Sequence, residues 1–505
     1  MSSKIYSVEL SGLEGQLVEI EVDTRMSLPG FSIVGLPDTA VMEARERVIS
    51  AVKNLSIALP RGRIVVNLAP ADLKKVGARY DLPIALGLIA FSGEISEAAF
   101  KETVFMGELA LDGKVRPING VLSSLEFAKR MGFRRIFLPK ANAHEAAMIK
   151  GIEIIPVGHL REAILFLNNQ LFALPIKAMA EPKRAAPLVD MKMIRGQDRA
   201  KRALELAAAG GHNVLFNGAP GSGKTLMAQA LEGILPPMTQ EEMLEVTKVY
   251  SVAGLLSSSQ SLISTRPFRR VHHTASAISI AGGGSHPMPG EITLAHRGVL
   301  FLDEIAEFPS QVLEVLRQPM EDKHITVSRA QASIRFPADF TLVGAMNPCP
   351  CGYFGVKKYK GRCECPHWKI QQYYRKLSGP LLDRIDIHLN INPVEHQELE
   401  ADISKAEDSE AVRQRVNKAH QKQLSRLRPY GLFQNSEMNN ALIEKLCPLN
   451  EASLKLLKNA VTQNNLTARA YYKAIKLART IADLEECKSI SRDHVYEALL
   501  FIVRR

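Results

Sequence analysis

The sequence predicts a soluble, multidomain α/β protein, and three observations indicate this class. The chain has 505 residues, whereas one domain usually holds about 100–200. Apolar residues make up 46% and charged residues 23% of it, a balance typical of globular proteins and not of disordered or fibrous ones. Over residues 1–170 and 189–395, short apolar runs alternate with helical patterns, as expected of strands interleaved with helices.

Composition excludes several classes of protein. The longest apolar stretches, such as Leu82–Phe91, are much shorter than the roughly 20 residues that a membrane span needs. The first residues, MSSKIYSVELSG, lack the layout of a secretion signal. Six cysteines in the whole chain exclude a disulfide scaffold and favour a cytoplasmic location. The net charge of +11 makes polyanions plausible partners.

The composition changes along the chain and predicts three blocks joined by one linker. The blocks are an α/β domain at 1–170, a second α/β unit at 189–395 and a mostly helical region at 396–505, and a proline- and alanine-rich linker at 171–188 follows the first of them. In the first block, the runs RIVVNL at 63–68, VFMGEL at 104–109 and RIFLP at 135–139 are typical of strands.

The strongest motif is a phosphate-binding loop. It consists of Gly218, Ala219, Pro220, Gly221, Ser222, Gly223, Lys224 and Thr225. An apolar strand pattern, NVLF, precedes this octet and an amphipathic helix pattern follows it, which is the context that the motif requires. Lys224 is expected to reach the β- and γ-phosphates of ATP, and the Thr225 hydroxyl to bind Mg²⁺.

Two later apolar runs end in polar residues that suit phosphoryl transfer. GVLFLDE ends in Asp303 and Glu304; we expect Asp303 to hold Mg²⁺ through water and Glu304 to polarise the attacking water. The run TLVGA leads to Asn347, which either orients that water or is a turn-forming asparagine before proline.

Four cysteines form a candidate metal site. They are Cys349, Cys351, Cys363 and Cys365. Four thiolates can close a tetrahedral Zn²⁺ site, although two C-x-C pairs are narrower than the usual C-x₂₋₄-C spacing. The alternative is a set of reduced thiols in a surface loop.

The loop between the two cysteine pairs combines aromatic and basic residues. Tyr353, Phe354 and Tyr359 alternate with Lys357, Lys358, Lys360 and Arg362. Bases stack on aromatic rings while lysines follow phosphates, so this composition suits single-stranded nucleic acid.

Taken together, GAPGSGKT, GVLFLDE, VGAMNPCPCG and LSGPLLDRIDIH resemble the magnesium-chelatase-like AAA+ ATPases. Within that group the chain resembles the ComM/YifB branch, bacterial proteins linked to natural transformation and DNA branch migration. RPFRRVHHTAS (266–276) and PGFSIVGLPDTAVMEARERV (29–48) extend the likeness over nearly the whole chain. The resemblance implies an AAA+ core, a C-terminal helical lid, ATP and Mg²⁺ as ligands, and a hexameric ring.

Two arginines gain roles from this resemblance. Arg384 matches the arginine finger inserted into a neighbouring subunit's site, and such an arginine contributes about 10³–10⁵ in rate. Arg469 matches the sensor-2 arginine of the helical lid, and Thr467 is expected to cap its helix. The alternative for Arg384 is an arginine in a salt bridge beside Asp383, and the alternative for Arg469 is a surface arginine.

The resemblance also suggests two pore-lining insertions. One is 266–291, with Arg269 and Arg270, and the other is a hairpin over 325–336, with Arg329 and Arg335. Positive pore loops neutralise phosphates without reading sequence. Contacts of these arginines with nucleotide or neighbouring subunits are the alternative.

The first block resembles a Lon-protease-like (S5-type) domain without its catalytic dyad. VGARYDLPIAL (76–86) and FMGELALDGKVRPING (105–120) carry the likeness. Arg79 stands where that family has its nucleophilic serine, and Leu122 stands at or next to its lysine, so proteolysis is not expected. A basic face including Arg61, Arg63, Lys74, Lys75 and Arg79 is either a DNA contact or solvated surface charge.

The sequence thus predicts an ATP-driven ring motor acting on single-stranded and branched DNA, most simply a branch-migration helicase in recombination. The alternative is a chelatase-type motor subunit that drives metal insertion or protein remodelling.

Overall fold

The computed structural model describes residues 3–25, 28–60, 62–172, 188–257, 261–284, 287–329, 332–394, 398 and 406–502. The chain forms two compact units. Unit 1 comprises Met1–Pro182 and Gln240–Ile263, and unit 2 comprises Lys183–Thr239 and Ser264–Arg505. Residues 173–187 of the predicted linker, and Arg61 of the predicted basic face, lie outside the described residues.

Unit 1 is built on a seven-stranded mixed sheet in the order β3-β4-β2-β1-β5-β8-β9, and a separate pair, β6 and β7, is antiparallel. The strands are β1 (Ser3–Ser11), β2 (Glu14–Arg25), β3 (Gly30–Val34), β4 (Arg63–Ala69), β5 (Thr103–Phe105), β6 (Glu108–Leu109), β7 (Val115–Arg116), β8 (Arg135–Pro139) and β9 (Glu153–Val157). The strands predicted at 63–68 and 135–139 are confirmed. The run at 104–109 is divided between β5 and β6.

Helices cover both faces of this sheet. They are α1 (Thr39–Asn54), α2 (Asp81–Phe91), α3 (Val121–Arg130), α4 (Ala143–Ala146), α5 (Leu160–Leu167) and, later in the chain, α8 (Gln240–Val252). Successive strand residues point to opposite faces. In β8, Phe137 joins the core cluster that contains α1 and α2, while Ile136 and Leu138 join the cluster that contains α3. The predicted mixed α/β class is confirmed for this block.

The segment Gln240–Ile263, which the sequence prediction assigned to the ATPase core, groups with unit 1. Leu244 of α8 packs against the cluster around α3. The Ser251 hydroxyl donates to the buried Glu145 carboxylate, and the N–H of Gly120 donates to the Ser251 carbonyl (3.1 Å). The chain therefore leaves unit 2 after the phosphate-loop helix, contributes a helix to unit 1 and returns.

Unit 2 contains a five-stranded parallel sheet in the order β11-β14-β17-β10-β18. These strands are β10 (Val214–Gly218), β11 (Phe268–Val271), β14 (Val299–Leu302), β17 (Thr341–Met346) and β18 (Ile387–Ile391). Two antiparallel pairs are separate: β12 (Gly282–Gly283) with β13 (Met288–Pro289), and β15 (His324–Arg329) with β16 (Ala332–Pro337). The second pair is the predicted hairpin.

The helices of unit 2 surround this sheet and form its C-terminal region. They are α6 (Asp198–Gly210), α7 (Lys224–Ile234), α9 (Ala277–Ala281), α10 (Glu291–Leu294), α11 (Ser310–Val315), α12 (Arg317–Asp322), α13 (His367–Arg375), α14 (Gly379–Leu382), α15 (Ser409–Leu427), α16 (Asn440–Leu446), α17 (Glu451–Asn464), α18 (Ala468–Leu484) and α19 (Arg492–Ile502). One apolar core joins α6, α7, the sheet and the C-terminal helices. The predicted helical C-terminal region is thereby confirmed.

Among the described residues, each helix is too short or too polar to cross a lipid bilayer. This finding agrees with the limited length of the apolar runs in the sequence.

A buried ionic network ties the C-terminal helices together. Asp483, 2% exposed, accepts from Arg426 through both oxygens (3.0 and 2.6 Å) and from Asn435 (2.9 Å). Arg479 lies 3.1 Å from the same carboxylate. One buried carboxylate therefore pairs with two guanidinium groups, of which Arg479 is 4% and Arg426 is 21% exposed.

We predict that Asp483→Ala lowers the free energy of unfolding of unit 2 by about 3–5 kcal/mol, because it leaves buried guanidinium groups without their counter-charge. Denaturant unfolding followed by circular dichroism measures this. The exposed Asp493→Ala is the matched control and should change stability by less than about 0.5 kcal/mol. A loss below about 1 kcal/mol for Asp483→Ala would contradict the role given to the network.

Candidate active site

The phosphate loop joins the carboxyl end of β10 to the amino end of α7. Gly223 adopts φ +86° immediately before α7 begins at Lys224, a conformation that favours glycine. At Gly218, a Cβ atom would lie 2.6 Å from the carbonyl oxygen of Ile391 in the adjacent β18. The motif glycines at these positions are therefore required by a left-handed backbone and by a close strand approach.

Lys224 lies across the loop and reaches a second strand. Its Nζ donates to the carbonyls of Gly218 (2.6 Å) and Ala219 (2.9 Å) and to Asn347 Oδ1 (3.1 Å). Burial lowers the pKa of Lys224 to about 8, against the opposing charges of Asp303 and Glu304. The predicted lysine and the predicted asparagine thus meet at one point.

Thr225 and Asp303, the two predicted Mg²⁺ ligands, are also brought together. The Thr225 hydroxyl donates to Asp303 Oδ2 (3.1 Å). The same oxygen accepts from Arg270 (2.8 Å). Sequence reasoning left Arg270 either a role in DNA binding or a contact with nucleotide or a neighbouring subunit. The structure places it in β11, where it pairs with Asp303, and its binding to DNA stays a prediction.

Glu304 projects from the end of β14 in a left-handed conformation, φ +53°. Its side chain is 51% exposed, and its Oε2 lies 3.3 Å from His273 Nδ1. Sequence reasoning did not single out His273 as a partner of Glu304. It could not have done so from local sequence, because this contact depends on the pairing of β11 with β14.

The residues at this edge of the sheet fit a triphosphate with a divalent cation. Ser222 is 3% exposed, and its Oγ has no hydrogen-bond partner in the described part of the chain. The amino end of α7 supplies N–H groups and a positive dipole end that favour phosphate. Thr225 and Asp303 offer the hard oxygen ligands that Mg²⁺ prefers.

Arg384 and Arg469, here called the arginine pair, meet on a single carboxylate. Arg384 lies 2.6 Å from Glu321 Oε2, and Arg469 lies 2.7 Å from Glu321 Oε1. Thr467 accepts from the N–H of Ala470 and caps α18, so the predicted cap is confirmed. Arg469 lies in the first turn of that helix.

The arginine pair lies at the sheet edge opposite to the phosphate loop. The Arg384 carbonyl accepts from the side chain of Asn213 (3.0 Å), the residue before β10. Lys323, which follows α12, pairs with Asp339 (2.9 Å), which precedes β17. Because these strands are parallel, their amino ends lie about 13 Å, one strand length, from the edge that carries the phosphate loop.

Two of the three remaining arginines that the sequence assigned to DNA binding have partners within the chain. Arg269, in β11, forms a two-point pair with Glu291 (2.7 and 2.8 Å). Arg335 is exposed on β16 and contacts His324 Nδ1 (2.8 Å). The side chain of Arg329 lies outside the described residues. Residues 268–271 thus belong to an edge strand of the core sheet, while DNA binding by these arginines stays a prediction.

The loop between the cysteine pairs keeps some of its predicted groups exposed. Lys358 and Lys360 are exposed, and Lys358 donates to the Val394 carbonyl (3.3 Å). The side chain of Lys357 lies outside the described residues. Two exposed lysines therefore remain as candidate phosphate contacts.

The aromatic residues of this loop divide into two groups. Tyr353 and Tyr359 pack edge to face with centroids 5.2 Å apart, and Arg362 lies over both rings. Phe354 of the loop is 44% exposed, and Trp368, which follows the loop in α13 and which sequence reasoning missed, is 65% exposed. Phe354 and Trp368 are therefore better placed than the tyrosines to stack on a base.

The four cysteines lie together. Their sulfur atoms are all within 4.8 Å of one another, and all four thiols are free of disulfides. Tetrahedral thiolate coordination is compatible with this arrangement.

In unit 1, Arg79 serves as a structural crosslink. Its guanidinium donates to the carbonyls of Val8 (3.1 Å) and Asn119 (3.0 Å). Leu122 is fully buried, and the Ser124 hydroxyl donates to the Gly120 carbonyl (3.0 Å). At the two positions where the resemblance places the catalytic serine and lysine, the chain therefore has Arg79 and Leu122.

Comparisons with family models cover most of the chain. The model described as "Magnesium chelatase, subunit ChlI" matches residues 190–399. The models described as "Subunit ChlI of Mg-chelatase" and "Magnesium chelatase, subunit ChlI C-terminal" match residues 20–142 and 406–501.

Full-length relatives are similar over nearly the whole chain. The chain is 40% identical over 501 residues to the competence protein ComM of Haemophilus influenzae, covering 98% of this chain and 96% of that one. It is 40% identical over 492 residues to YifB of Salmonella typhimurium, covering 97% and 95%. A shorter match, 47% over 58 residues, joins 12% of this chain to 9% of an archaeal Lon protease of Methanocaldococcus jannaschii.

We predict that nucleotide affinity falls as the pH rises above 8. The free protein loses the Lys224 proton around pH 8, and only the charged form attracts phosphate, so the dissociation constant should rise roughly tenfold per pH unit above that value. Titration with a fluorescent ATP analogue measures it. In the control, Lys224→Arg, the side chain stays charged, so its profile should be flat. A flat wild-type profile from pH 7 to 9.5 would contradict the prediction.

Proposed function

The chain belongs to the magnesium-chelatase-like AAA+ family, in the branch that contains ComM and YifB, and from this premise we propose that it is an ATP-hydrolysing ring motor that acts on DNA. The observation that carries the proposal is the division of the site between two edges of one sheet. Lys224, Thr225, Asp303 and Asn347 gather at the carboxyl edge, while the arginine pair lies at the amino edge.

At the carboxyl edge, the residues support ATP binding and hydrolysis. Lys224 and the N–H groups of the loop would hold the phosphates, and Thr225 and Asp303 would hold Mg²⁺. Bound Mg²⁺ stabilises the charge that develops on the phosphate oxygens. Glu304, exposed at the end of its strand, accepts a hydrogen bond from the attacking water and orients it. Arg270 holds the Asp303 oxygen that the cation would use, so it must move aside or share that carboxylate.

The arginine pair supports a site shared between subunits. Arg384 and Arg469 are fixed on Glu321, about one strand length from the phosphate loop of the same subunit. They are therefore suited to complete the site of a neighbouring copy. Repeating such a head-to-tail contact by rotation generates a closed ring, and we assign the hexamer that the family resemblance implies.

DNA is the substrate class that we assign to this motor. The net charge of +11 favours a polyanion. The exposed Lys358, Lys360, Phe354 and Trp368 supply basic and stacking groups close together in sequence. The competence name of the ComM relative agrees with a role in the uptake or recombination of DNA, and branch migration is the specific activity that we propose.

Unit 1 then acts as a Lon-like module without protease activity.

The family names support a second candidate function, that of a chelatase motor subunit. All three matching models are named for magnesium chelatase subunit ChlI. Such a motor would use the same nucleotide site but would respond to protein partners and a porphyrin instead of DNA.

We predict that four-way-junction or single-stranded DNA stimulates ATP hydrolysis by the purified protein several-fold. Added salt should reduce the stimulation, because phosphate contacts weaken as salt rises. Steady-state ATPase assays with no DNA, duplex, single strand and junction measure the effect, and Lys224→Ala gives the background rate.

Two results would contradict this assignment in different ways. A high rate of ATP hydrolysis that none of the three DNA forms changes would favour the chelatase or protein-remodelling function. Hydrolysis equal to that of Lys224→Ala under every condition would instead contradict ATPase activity itself.

A further inference from the structure

The geometry of the cysteine cluster, Cys349, Cys351, Cys363 and Cys365, approaches that of a metal–thiolate centre. Zn–S bonds of about 2.3 Å place the sulfurs of a tetrahedral site about 3.8 Å apart. The sulfurs of Cys349 and Cys363 are 3.7 Å apart and those of Cys349 and Cys351 are 3.2 Å apart. Small side-chain adjustments would therefore suffice to close the site around one ion.

The surroundings of the cluster suit thiolates. Cys349 is fully buried, and the backbone N–H of Phe354 points at its sulfur (3.3 Å). Such donors stabilise a charged ligand and orient it. Four sulfur ligands in a tetrahedral arrangement favour Zn²⁺ over Mg²⁺ or Ca²⁺, which prefer oxygen.

The cluster is covalently close to the nucleotide site. The buried strand β17 ends at Met346 and is followed by Asn347, Pro348 and Cys349. Asn347 accepts from Lys224 Nζ (3.1 Å). A single residue, Pro348, therefore separates the first cysteine of the cluster from the asparagine that meets the phosphate-loop lysine.

A second contact joins the cluster to the phosphate loop itself. Gly352, the residue after Cys351, lies so close to Pro220 that an added Cβ would be 2.5 Å from the proline Cδ. Gly352 is buried and has φ +88°. The backbone of the cysteine loop thus packs directly on the loop that holds the phosphates.

We propose that the four cysteines bind one Zn²⁺ ion and that this ion positions Asn347 and the phosphate loop for ATP hydrolysis. The first half concerns metal binding alone, and the second half rests on the ATPase activity proposed above. Cys349 fixes the chain just after Asn347, and Cys363 and Cys365 pin the far end of the loop to the same ion. Without the ion, Asn347 loses its anchor. A displacement of about 1 Å in such a group can cost on the order of 100-fold in rate.

The test compares three full-length proteins: the wild type, Cys363→Ser/Cys365→Ser, and Cys487→Ser. Cys487 is exposed and lies outside the cluster, in a second group with Glu485 and His494 that could hold a metal ion, so its variant serves as the control for that group. Metal content is measured by mass spectrometry after purification without added metal. We expect about one zinc per chain in the wild type and in the control, and a large loss of zinc in the double variant. Replacement by Co²⁺ should give the intense thiolate-to-cobalt absorption of a tetrahedral sulfur site.

Steady-state hydrolysis of ATP tests the positioning role. We expect kcat to fall at least tenfold in the double variant, with a smaller change in KM, because the ion orients Asn347 more than it binds nucleotide. If the double variant does not fold, the wild type stripped by a chelator and then reloaded with Zn²⁺ replaces it, and kcat should fall and recover.

Each outcome bears on a separate half of the proposal. A wild type without stoichiometric zinc, and without a thiolate–cobalt spectrum, would overturn the metal site. Zinc loss with unchanged kcat would overturn the positioning role. A wild type that binds zinc but hydrolyses ATP no faster than Lys224→Ala would confirm the metal site while contradicting the ATPase on which the positioning role rests.

Discussion

The parallel pairing of β10 between β17 and β18 is the constraint on which the rest of unit 2 depends. Parallel strands place all their carboxyl ends at one edge, so the residue that follows each strand arrives beside the others. This is why Lys224 meets Asn347, and why Thr225 meets Asp303, although these residues are far apart in sequence. The same pairing places the amino ends, and with them Arg384, at the opposite edge. A site assembled this way holds its binding groups rigidly, and we infer that it leaves the neighbouring subunit to complete the charge stabilisation.

Local sequence was sufficient to predict the parts of this site that a single strand–loop segment encodes. Glycine at positive φ and an apolar strand before a polar end are local requirements, so the phosphate loop, Asp303 and Asn347 could be located from the sequence. Contacts that depend on strand pairing could not be predicted from local sequence. The pairing of β11 with β14 brings Arg270 to Asp303, a contact that the local sequence did not indicate. Long-range packing of the same kind places Gln240–Ile263 in unit 1.

The two arginines and the four cysteines are assembled in different ways, and the arginines come from remote segments. Glu321 comes from the helix before the hairpin and gathers Arg384 and Arg469 from two other segments. The cysteine cluster, by contrast, is local, and it packs against the phosphate loop through Gly352. We infer that a metal ion on one side and a partner subunit on the other bias the same nucleotide site. Such a design would link ATP turnover to both the assembly and the metal loading of the protein.

Mixing two inactive variants tests the shared site most directly. Lys224→Ala lacks the phosphate-loop lysine but retains Arg384, and Arg384→Ala retains the loop but lacks the arginine. If Arg384 acts in trans, mixed rings contain some interfaces with both groups intact, and ATP hydrolysis should rise well above the sum of the separate variants. Arg375→Ala, at an exposed arginine of α13, controls for loss of surface charge and should remain active alone. Hydrolysis by the mixture that equals the sum of its parts, in rings shown to exchange subunits, would contradict a site shared between subunits.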